Sequence, residues 1–476
     1  MGGAAGKQGG TFVQAGVDFH PLSEGEALEC KAAANLNDPV DSVLFVWGGK
    51  INGIGLYGHI PRQCYAGKVK QVACGGEFML ILTDGGSVSA MGLNNMYQLG
   101  NGTTHSNYDV PKVLLGLRTK NVSRIAAGKS FAAAACNDEF AVYCWGGVAA
   151  DKQAFGMEPT SVKLPDVRST VLDLQCGDSQ AVALLMNGQV MVWGDNTHGE
   201  LGRGNLDSYS EDFKHAAFVD ITPKEVVSVA VGGHHCAAVS CLGEVYTWGG
   251  TSGAPACFGM KPRKYVRGGV RSIKCGPEHV LALTRTGRVL SWGFSSMHQT
   301  GHRHQKPVAA PMFISALVGE FVEEISTNKF TGGTDVSFAT SPMVGHVCLA
   351  VTDKGSAFAW GGVGGKESFF GASPQKCTVE DRRGVASHIE VEPEYCLSGA
   401  CGVTHICVKT RNNKVASWGI GNFQQVGDGR QKNQRTPQVV LWPDDGPRSY
   451  TNLNIEAGHY FTVAWKWKTP RGKYDT

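Results

Sequence analysis

The chain has 476 residues, of which 18% are charged, and its formal net charge is +3. This near-neutral balance lacks the basic field that nucleic-acid binding usually requires, so no direct nucleic-acid partner is expected. No run of about 18 apolar residues occurs, so no membrane span is predicted. The 64 glycines follow no triplet period and fall at turn positions, as a protein with many β-turns requires.

Residues 1–42 form a Gly/Ala-rich N-terminal extension without regular apolar patterning. The extension contains neither the apolar core of a secretory signal nor an Arg-rich amphipathic transit peptide. A reducing compartment and free thiols are therefore expected for the 15 cysteines. The predicted location is the cytoplasm, with the cytoskeleton or a cilium as the finer prediction.

A strand-length pattern recurs between residues 43 and 467. In its clearest copy, His279 to Thr284 and Val289 to Trp292 predict a β-hairpin joined by a tight turn at residues 285–287. Eight such strands end in a large apolar residue followed by Gly: Trp47, Met91, Trp145, Trp193, Trp248, Trp292, Trp360 and Trp418. A second landmark glycine follows each of them: Gly75, Gly128, Gly177, Gly232, Gly276, Gly345, Gly402 and Gly458. Pairing of the first strand with the last would close a ring and remove exposed edges.

Two stretches carry a resemblance to a known family. Residues 193–202, WGDNTHGELG, and residues 231–249 resemble the repeats of the regulator of chromosome condensation family. The resemblance covers about residues 43–467 and implies an all-β fold, a closed propeller of four-stranded blades. It also implies the usual seven blades of that family.

The repeats alternate in type. Odd-numbered units begin WGG, contain an aromatic-Gly-x-x-Pro string and lead to a Cys-Gly landmark, whereas even-numbered units lack all three features. Four two-blade units predict eight blades, with seven as the alternative. We expect structural packing roles for the strand-end tryptophans and the Cys-Gly cysteines. These residues are Trp47, Trp145, Trp193, Trp248, Trp292, Trp360 and Trp418, and Cys74, Cys176, Cys275 and Cys401.

No convincing catalytic set emerges from the sequence. The string at residues 127–130 resembles the end of a phosphate loop, but Ser123 stands where that loop requires glycine. His298, His302 and His304 have a spacing that can hold zinc, yet no cysteine or carboxylate completes the set nearby. We therefore predict no enzymatic activity, no cofactor, no metal and no small-molecule substrate.

Longer segments recur on the even units, and insertions of this kind often carry function. The candidate partner-contact residues are His105, Tyr108, Tyr209, Phe213, His302, His304, Phe330, Trp442, Trp467 and Arg471. The last of these lies in a basic tail, residues 468–476, beyond the predicted propeller of residues 43–467.

The predicted function is a non-enzymatic protein-interaction scaffold within a large assembly. A ciliary, axonemal or other cytoskeletal assembly is the finer prediction, with tubulin or axonemal proteins as partners. The family resemblance implies two alternatives: a guanine-nucleotide exchange factor for a small GTPase, and a chromatin-associated adaptor. An exchange factor of this family uses a wedge from one blade, whereas residues 147–155 recur in all four odd units and indicate a repeat feature.

Overall fold

The repeated sequence pattern produces strands that are buried on both faces. Every residue of His235–Ser240, HCAAVS, is buried, and so is every residue of Val190–Gly194, VMVWG. Short continuous apolar runs of this length are typical of strands covered on both sides. By contrast, Arg263–Arg267 has no buried residue and lies on the outside.

The computed structural model describes residues 42–49, 58, 60–104, 108–147, 155–166, 168–221, 225–250, 258–330, 345–363, 366–377, 395–411, 414–442 and 453–467. They form 32 strands in eight antiparallel four-stranded sheets. The predicted eight-bladed β-propeller is confirmed, and the seven-bladed alternative is wrong. Three 3₁₀ turns occur among the described residues, at Leu115–Leu117, Ser210–Phe213 and Ser315–Leu317.

Blades 1 to 8 are numbered so that blade 1 contains both ends of the described chain. Blade 1 consists of β31 (Asn454–Ala457), β32 (Phe461–Trp467), β1 (Ser42–Gly48) and β2 (Arg62–Ala66), and blade 2 consists of β3 (Val69–Cys74), β4 (Phe78–Thr83), β5 (Val88–Gly92) and β6 (Tyr108–Val113). Blade 3 consists of β7 (Arg124–Ala127), β8 (Phe131–Cys136), β9 (Ala141–Gly146) and β10 (Gly156–Val162). Blade 4 consists of β11 (Val171–Cys176), β12 (Gln180–Leu185), β13 (Val190–Gly194) and β14 (Ala217–Phe218).

The remaining four blades follow in chain order. Blade 5 consists of β15 (Val226–Val231), β16 (His235–Ser240), β17 (Glu244–Gly249) and β18 (Arg263–Arg267), and blade 6 consists of β19 (Val270–Cys275), β20 (His279–Thr284), β21 (Val289–Gly293) and β22 (Val308–Phe313). Blade 7 consists of β23 (Val322–Thr327), β24 (Gly345–Thr352), β25 (Ala357–Val363) and β26 (Lys366–Lys376). Blade 8 consists of β27 (Cys396–Cys401), β28 (His405–Thr410), β29 (Val415–Gly419) and β30 (Gln434–Val439).

Blade 1 closes the ring, as predicted. Its third strand, β1, comes from the start of the propeller and pairs antiparallel with β32 from the end. The register runs from Ser42 opposite Trp467 to Gly48 opposite Phe461. Because β1 also pairs with β2, both edges of β1 are occupied within the blade.

The hydrophobic core lies between neighbouring blades. One cluster joins Val182 and Leu184 of β12 to Cys236 and Trp248 of blade 5. The next joins blade 5 to blade 6 and includes Trp292. Since each blade buries one face against each neighbour, the interior is continuous around the ring.

The alternation of repeats has a structural cause at the blade boundaries. In the odd blades, the indole Nε1–H of Trp145 donates to the carbonyl of Gln98 at 3.0 Å, and that of Trp248 donates to the carbonyl of Glu200 at 2.8 Å. The acceptor lies in the connection between the third and fourth strands of the preceding even blade. Trp47 and Trp360 make the equivalent bonds to Gln425 and Gln299. The even-blade Trp193 instead approaches the Cys144 sulfur at 3.2 Å.

The expected landmark Gly345 is not equivalent to the other seven landmark glycines. Those glycines lie between the first and second strands of their blades, and their N–H groups bond across the turn. In blade 7 this position is Asn328, whereas Gly345 begins β24. The Asn328 side chain accepts from the Val347 N–H at 2.8 Å and donates to the Gly345 carbonyl at 2.7 Å.

Candidate functional site: the loop face and the central channel

Antiparallel strand order places two kinds of connection on each face of the ring. The loop face carries the turns between first and second strands and the connections between third and fourth strands. The hairpin face carries the turns between second and third strands and the links to the next blade. The described loop-face turns are residues 75–77, 128–130, 177–179, 232–234, 276–278, 328–330, 402–404 and 458–460.

The first strand of every blade lines a central channel that encloses a cavity of about 180 Å³. Its polar lining includes Gln175, Lys274, Lys329 and Glu456. Burial raises the pKa of Glu456 to about 7, against the opposing charges of Lys329 and Lys274. The channel therefore holds both signs of charge, and one of its carboxyls titrates near neutral pH.

Three Cys-Gly cysteines, Cys74, Cys275 and Cys401, line the channel, and Cys176 is buried beside it. Burial raises the pKa of all four thiols. They are protonated at neutral pH, and a protonated thiol is a poor nucleophile and a poor metal ligand. The cysteines in the described ranges are free thiols.

Charged groups gather where the channel opens on the loop face. The Lys129 ammonium lies 3.3 Å from the Asp178 carboxylate, on the turns of blades 3 and 4. Further round, the His346 imidazole lies 3.7 Å from the Glu278 carboxylate. Burial lowers the pKa of His346 to about 4, so the pair of opposite charges on this rim is Lys129 and Asp178, with the Glu278 carboxylate further round.

One cluster of three ligand-type side chains lies at the boundary of blades 4 and 5. Glu200 Oε1 is 3.1 Å from His198 Nδ1 and 3.3 Å from His234 Nδ1. Burial alone would raise the pKa of Glu200, but hydrogen bonds from the two histidines lower it overall. Burial likewise opposes the charged form of His234, while Glu200 and Asp178 raise its pKa overall.

The histidine cluster singled out from the sequence has a different environment. The His302 Nε2 lies 2.9 Å from the Ser291 hydroxyl, and its ring stacks on His304 with centroids 6.0 Å apart. Over the described ranges, the three-residue group with converging ligand atoms is His198, Glu200 and His234.

The blade 4 connection projects an ordered apolar surface. The Arg203 guanidinium donates two hydrogen bonds of 2.8 Å to Asp212 and a third of 3.0 Å to the Asp207 carbonyl. Between these anchors, Leu206 is 47% exposed and Tyr209 is 57% exposed. Phe213 is half-buried and packs edge-on against Phe155.

The family model of the RCC1-like domain matches residues 43–362. This chain belongs to the RCC1-like domain family. The match confirms the resemblance drawn from the repeats, and this RCC1-like propeller has eight blades.

Three known proteins illustrate the similarity. The ultraviolet-B receptor UVR8 of Arabidopsis thaliana is 26% identical over 86% of this chain and 89% of its own length. The secretion-regulating guanine nucleotide exchange factor of Mus musculus is 25% identical over 89% of this chain and 83% of its own length. The structure of Prp20p from Saccharomyces cerevisiae is 19% identical, covers 91% of this chain and 93% of its own, and superposes with a TM-score of 0.59, which shows a shared fold.

The predicted partner-contact residues occupy diverse places in this RCC1-like ring. Phe330 is buried, lines the channel and packs edge-on against His459 at 5.5 Å. Trp442 is half-buried against Phe45 and Trp47. Tyr108 lies in β6 and Trp467 in β32, whereas His105 and Arg471 lie outside the described residues. Their partner contacts remain predictions.

The described residues contain no helix with the length and apolarity needed to cross a membrane.

Proposed function

We propose that this RCC1-like chain is a non-enzymatic protein-interaction propeller that binds a protein partner through its loop face. The observation that carries this proposal is the ordered blade 4 connection. Leu206 and Tyr209 are exposed on it, and Leu206 lies near Gly199 together with Met260 of blade 5, which is 41% exposed. Exposed tyrosines and apolar side chains in one patch are typical anchors of protein interfaces.

The anchoring of this patch favours binding. Because Arg203 and Asp212 hold the connection through two parallel hydrogen bonds, little conformational entropy remains to be lost on association. A bond to the Asp207 carbonyl fixes the segment between them. The patch therefore resembles a preorganised interface.

Alanine substitution in the patch tests this proposal. Tyr209→Ala removes an exposed aromatic ring, so we expect recovery of the principal protein partner on the immobilised chain to fall at least about tenfold. Met186→Ala is the matched control, because Met186 is 65% exposed on the hairpin face. Quantitative mass spectrometry of proteins retained from cell extract measures both variants. If Tyr209→Ala and Met186→Ala retain equal amounts of the partner, the patch does not bind it and this part of the proposal is wrong.

The finer proposal is a scaffold role in a cytoskeletal or ciliary assembly with tubulin or axonemal proteins. Size fractionation of the native protein, with the insoluble cytoskeletal pellet retained, tests it. We expect the protein in the pellet or in a megadalton fraction. Recovery near its 50.6 kDa mass would contradict this assembly.

A second candidate function is guanine-nucleotide exchange on a small GTPase. It is supported by similarity to the secretion-regulating exchange factor over 89% of this chain. Prp20p, whose structure shares this fold, has binding properties toward Gsp1p and histones. Release of a fluorescent GDP analogue from a panel of small GTPases tests this candidate. Release accelerated by the wild-type chain would favour exchange, and unchanged rates across the panel would favour the scaffold.

A further inference from the structure

We propose that His198, Glu200 and His234 bind a Zn²⁺ ion that links blades 4 and 5 on the loop face. His198 and Glu200 come from the connection between β13 and β14, and His234 comes from the turn between β15 and β16. The site therefore joins two separate chain segments across a blade boundary.

The distances between the ligand atoms suit a tetrahedral ion. Zn²⁺ binds imidazole nitrogen and carboxylate oxygen at about 2.0–2.2 Å, which places neighbouring ligand atoms of a tetrahedron about 3.3–3.6 Å apart. Glu200 Oε1 lies 3.1 Å from His198 Nδ1 and 3.3 Å from His234 Nδ1. The ligand atoms of all three residues lie within 4.8 Å of one another. The three ligand atoms are therefore near enough to share one ion after the imidazole rings rotate.

The two imidazole rings lie against each other, and at least one must turn out of the stack for both Nδ1 lone pairs to reach one ion. The His198 and His234 rings stack with centroids 4.2 Å apart and an interplanar angle of 21°. Both rings turn the Nδ1 atom toward the same Glu200 oxygen. His198 Nδ1 also lies 3.0 Å from the Thr197 hydroxyl, and Zn²⁺ would take the lone pairs of both Nδ1 atoms in place of protons.

The carboxylate ligand is held in place by the fold. Glu200 is fully buried, and its Oε2 accepts the backbone N–H of His198 at 2.8 Å. The Glu200 carbonyl accepts the indole N–H of Trp248 at 2.8 Å. Supporting contacts of this kind orient metal ligands and reduce the cost of assembling the site.

The site is reachable from solvent. The His198 and His234 side chains retain 25% and 33% of their exposure, respectively. An ion can therefore approach along the exposed ring edges on the loop face, where water would supply the fourth ligand. The donor set of two nitrogens and one oxygen favours Zn²⁺ over Mg²⁺, which prefers oxygen ligands alone.

Calorimetric titration of the full chain with ZnCl₂, after removal of metal by a chelator, tests the proposal. We expect one Zn²⁺ per chain with a low-micromolar or tighter Kd, and no heat from MgCl₂. His198→Gln and His234→Gln should each weaken Zn²⁺ binding at least about tenfold. His215→Gln is the matched control, since His215 is exposed and supplies no ligand atom to the cluster, and it should bind like wild type.

Two further measurements keep the test decisive if a variant folds poorly. Melting curves in chelator compare the folding of each variant with wild type, and ZnCl₂ should raise the Tm of wild type and of His215→Gln only. The X-ray absorption spectrum of the wild-type zinc complex should show nitrogen and oxygen ligands. Sulfur ligands, or equal affinity of wild type and both histidine variants, would overturn the proposal.

Discussion

Strand-end tryptophans differ in how their indole N–H groups are satisfied. Trp248 donates to the Glu200 carbonyl, whereas the buried Nε1 of Trp292 has no hydrogen-bond partner among the described residues. Both rings are fully buried. The two residues therefore separate the contribution of the hydrogen bond from that of packing.

Trp248→Phe should be more destabilising than Trp292→Phe. Both substitutions lose buried volume, but only Trp248→Phe also removes the indole donor of the Glu200 carbonyl and leaves it the weak Cys236 thiol contact at 3.8 Å, which costs about 1–3 kcal/mol more. Urea unfolding followed by intrinsic fluorescence and circular dichroism gives both free energies of unfolding. Equal losses would show that the indole hydrogen bond contributes nothing to the blade boundary.

Buried histidines make the stability of the ring depend on pH. Burial, helped by the neighbouring His234, lowers the pKa of His235 to about 3, and burial lowers the pKa of His405 to about 3. An unfolded histidine titrates near 6.5. As the pH falls below 6.5, the unfolded chain gains protons that these folded histidines exclude, so their contribution to stability decreases toward pH 3. Glu456, whose pKa burial raises to about 7, acts in the opposite direction as the pH falls toward its ordinary value of 4.5. Each such histidine contributes a slope of about 1.4 kcal/mol per pH unit in this window.

His235→Phe should reduce this acid sensitivity. His235 stacks on Phe258 with centroids 4.4 Å apart, and in blade 3 the equivalent pair, Phe131 and Phe155, stacks at the same separation. Phenylalanine therefore fits this position and removes one titrating group. Between pH 4 and 6.5, the slope of the free energy of unfolding against pH should be smaller than in wild type by about 1.4 kcal/mol per pH unit. An unchanged slope in His235→Phe would refute this explanation.

The connection between the third and fourth strands of each even blade packs against the tryptophan of the next blade. Gly100 has φ +66°, and a Cβ there would lie 2.8 Å from the Trp145 ring. Gly319 also has positive φ, +94°, but a Cβ there would meet nothing within 4 Å. The pair isolates the effect of steric contact from that of backbone strain.

Gly100→Ala should cost more stability than Gly319→Ala. Backbone strain costs about 1–2 kcal/mol at either position, and crowding against Trp145 adds about 1–3 kcal/mol at Gly100 only. Thermal and urea unfolding of both variants measure the difference. Equal losses of stability would show that the packing between Gly100 and Trp145 is loose enough to accept a methyl group.

Element order and blade count could be predicted because the residues that recur in each repeat are the ones that contact the adjacent blade. The odd-blade tryptophan requires the tight connection of the even blade before it, so the alternation is visible in the sequence. The exception at blade 7 could not be predicted from spacing. Asn328 replaces the landmark glycine because its side chain bonds the backbone of Val347 and Gly345.

The candidate site was less accessible to sequence reasoning. Tyr209 was chosen from a long connection and is exposed, but Phe330, chosen in the same way, is buried in the channel. The His198, Glu200 and His234 cluster was missed because its members belong to different repeats. A usable signal existed: once the repeat boundaries are assigned, residues 198–200 and 234 fall on the two sides of one blade boundary.

At the scale of the whole molecule, stability depends on closure of blade 1. Removal of residues 453–476 deletes β31 and β32 and exposes an edge of β1 that is otherwise paired along its length. We expect the shortened chain to lose its single cooperative melting transition and to aggregate. Removal of residues 468–476 alone spares all 32 described strands and should preserve the transition. Calorimetry and size-exclusion chromatography distinguish the two outcomes, and a cooperative monomer without β31 and β32 would contradict a closure requirement.

The composition of blade 1 also sets an order of events during synthesis on the ribosome. β1 leaves the exit tunnel early, but its partner strand β32 begins only at Phe461. At roughly 5–20 residues per second, β1 waits about 20 s or more for that partner. During this wait one edge of an apolar strand is open to chaperones and to other nascent chains. Synthesis of β32 is therefore the step that protects β1.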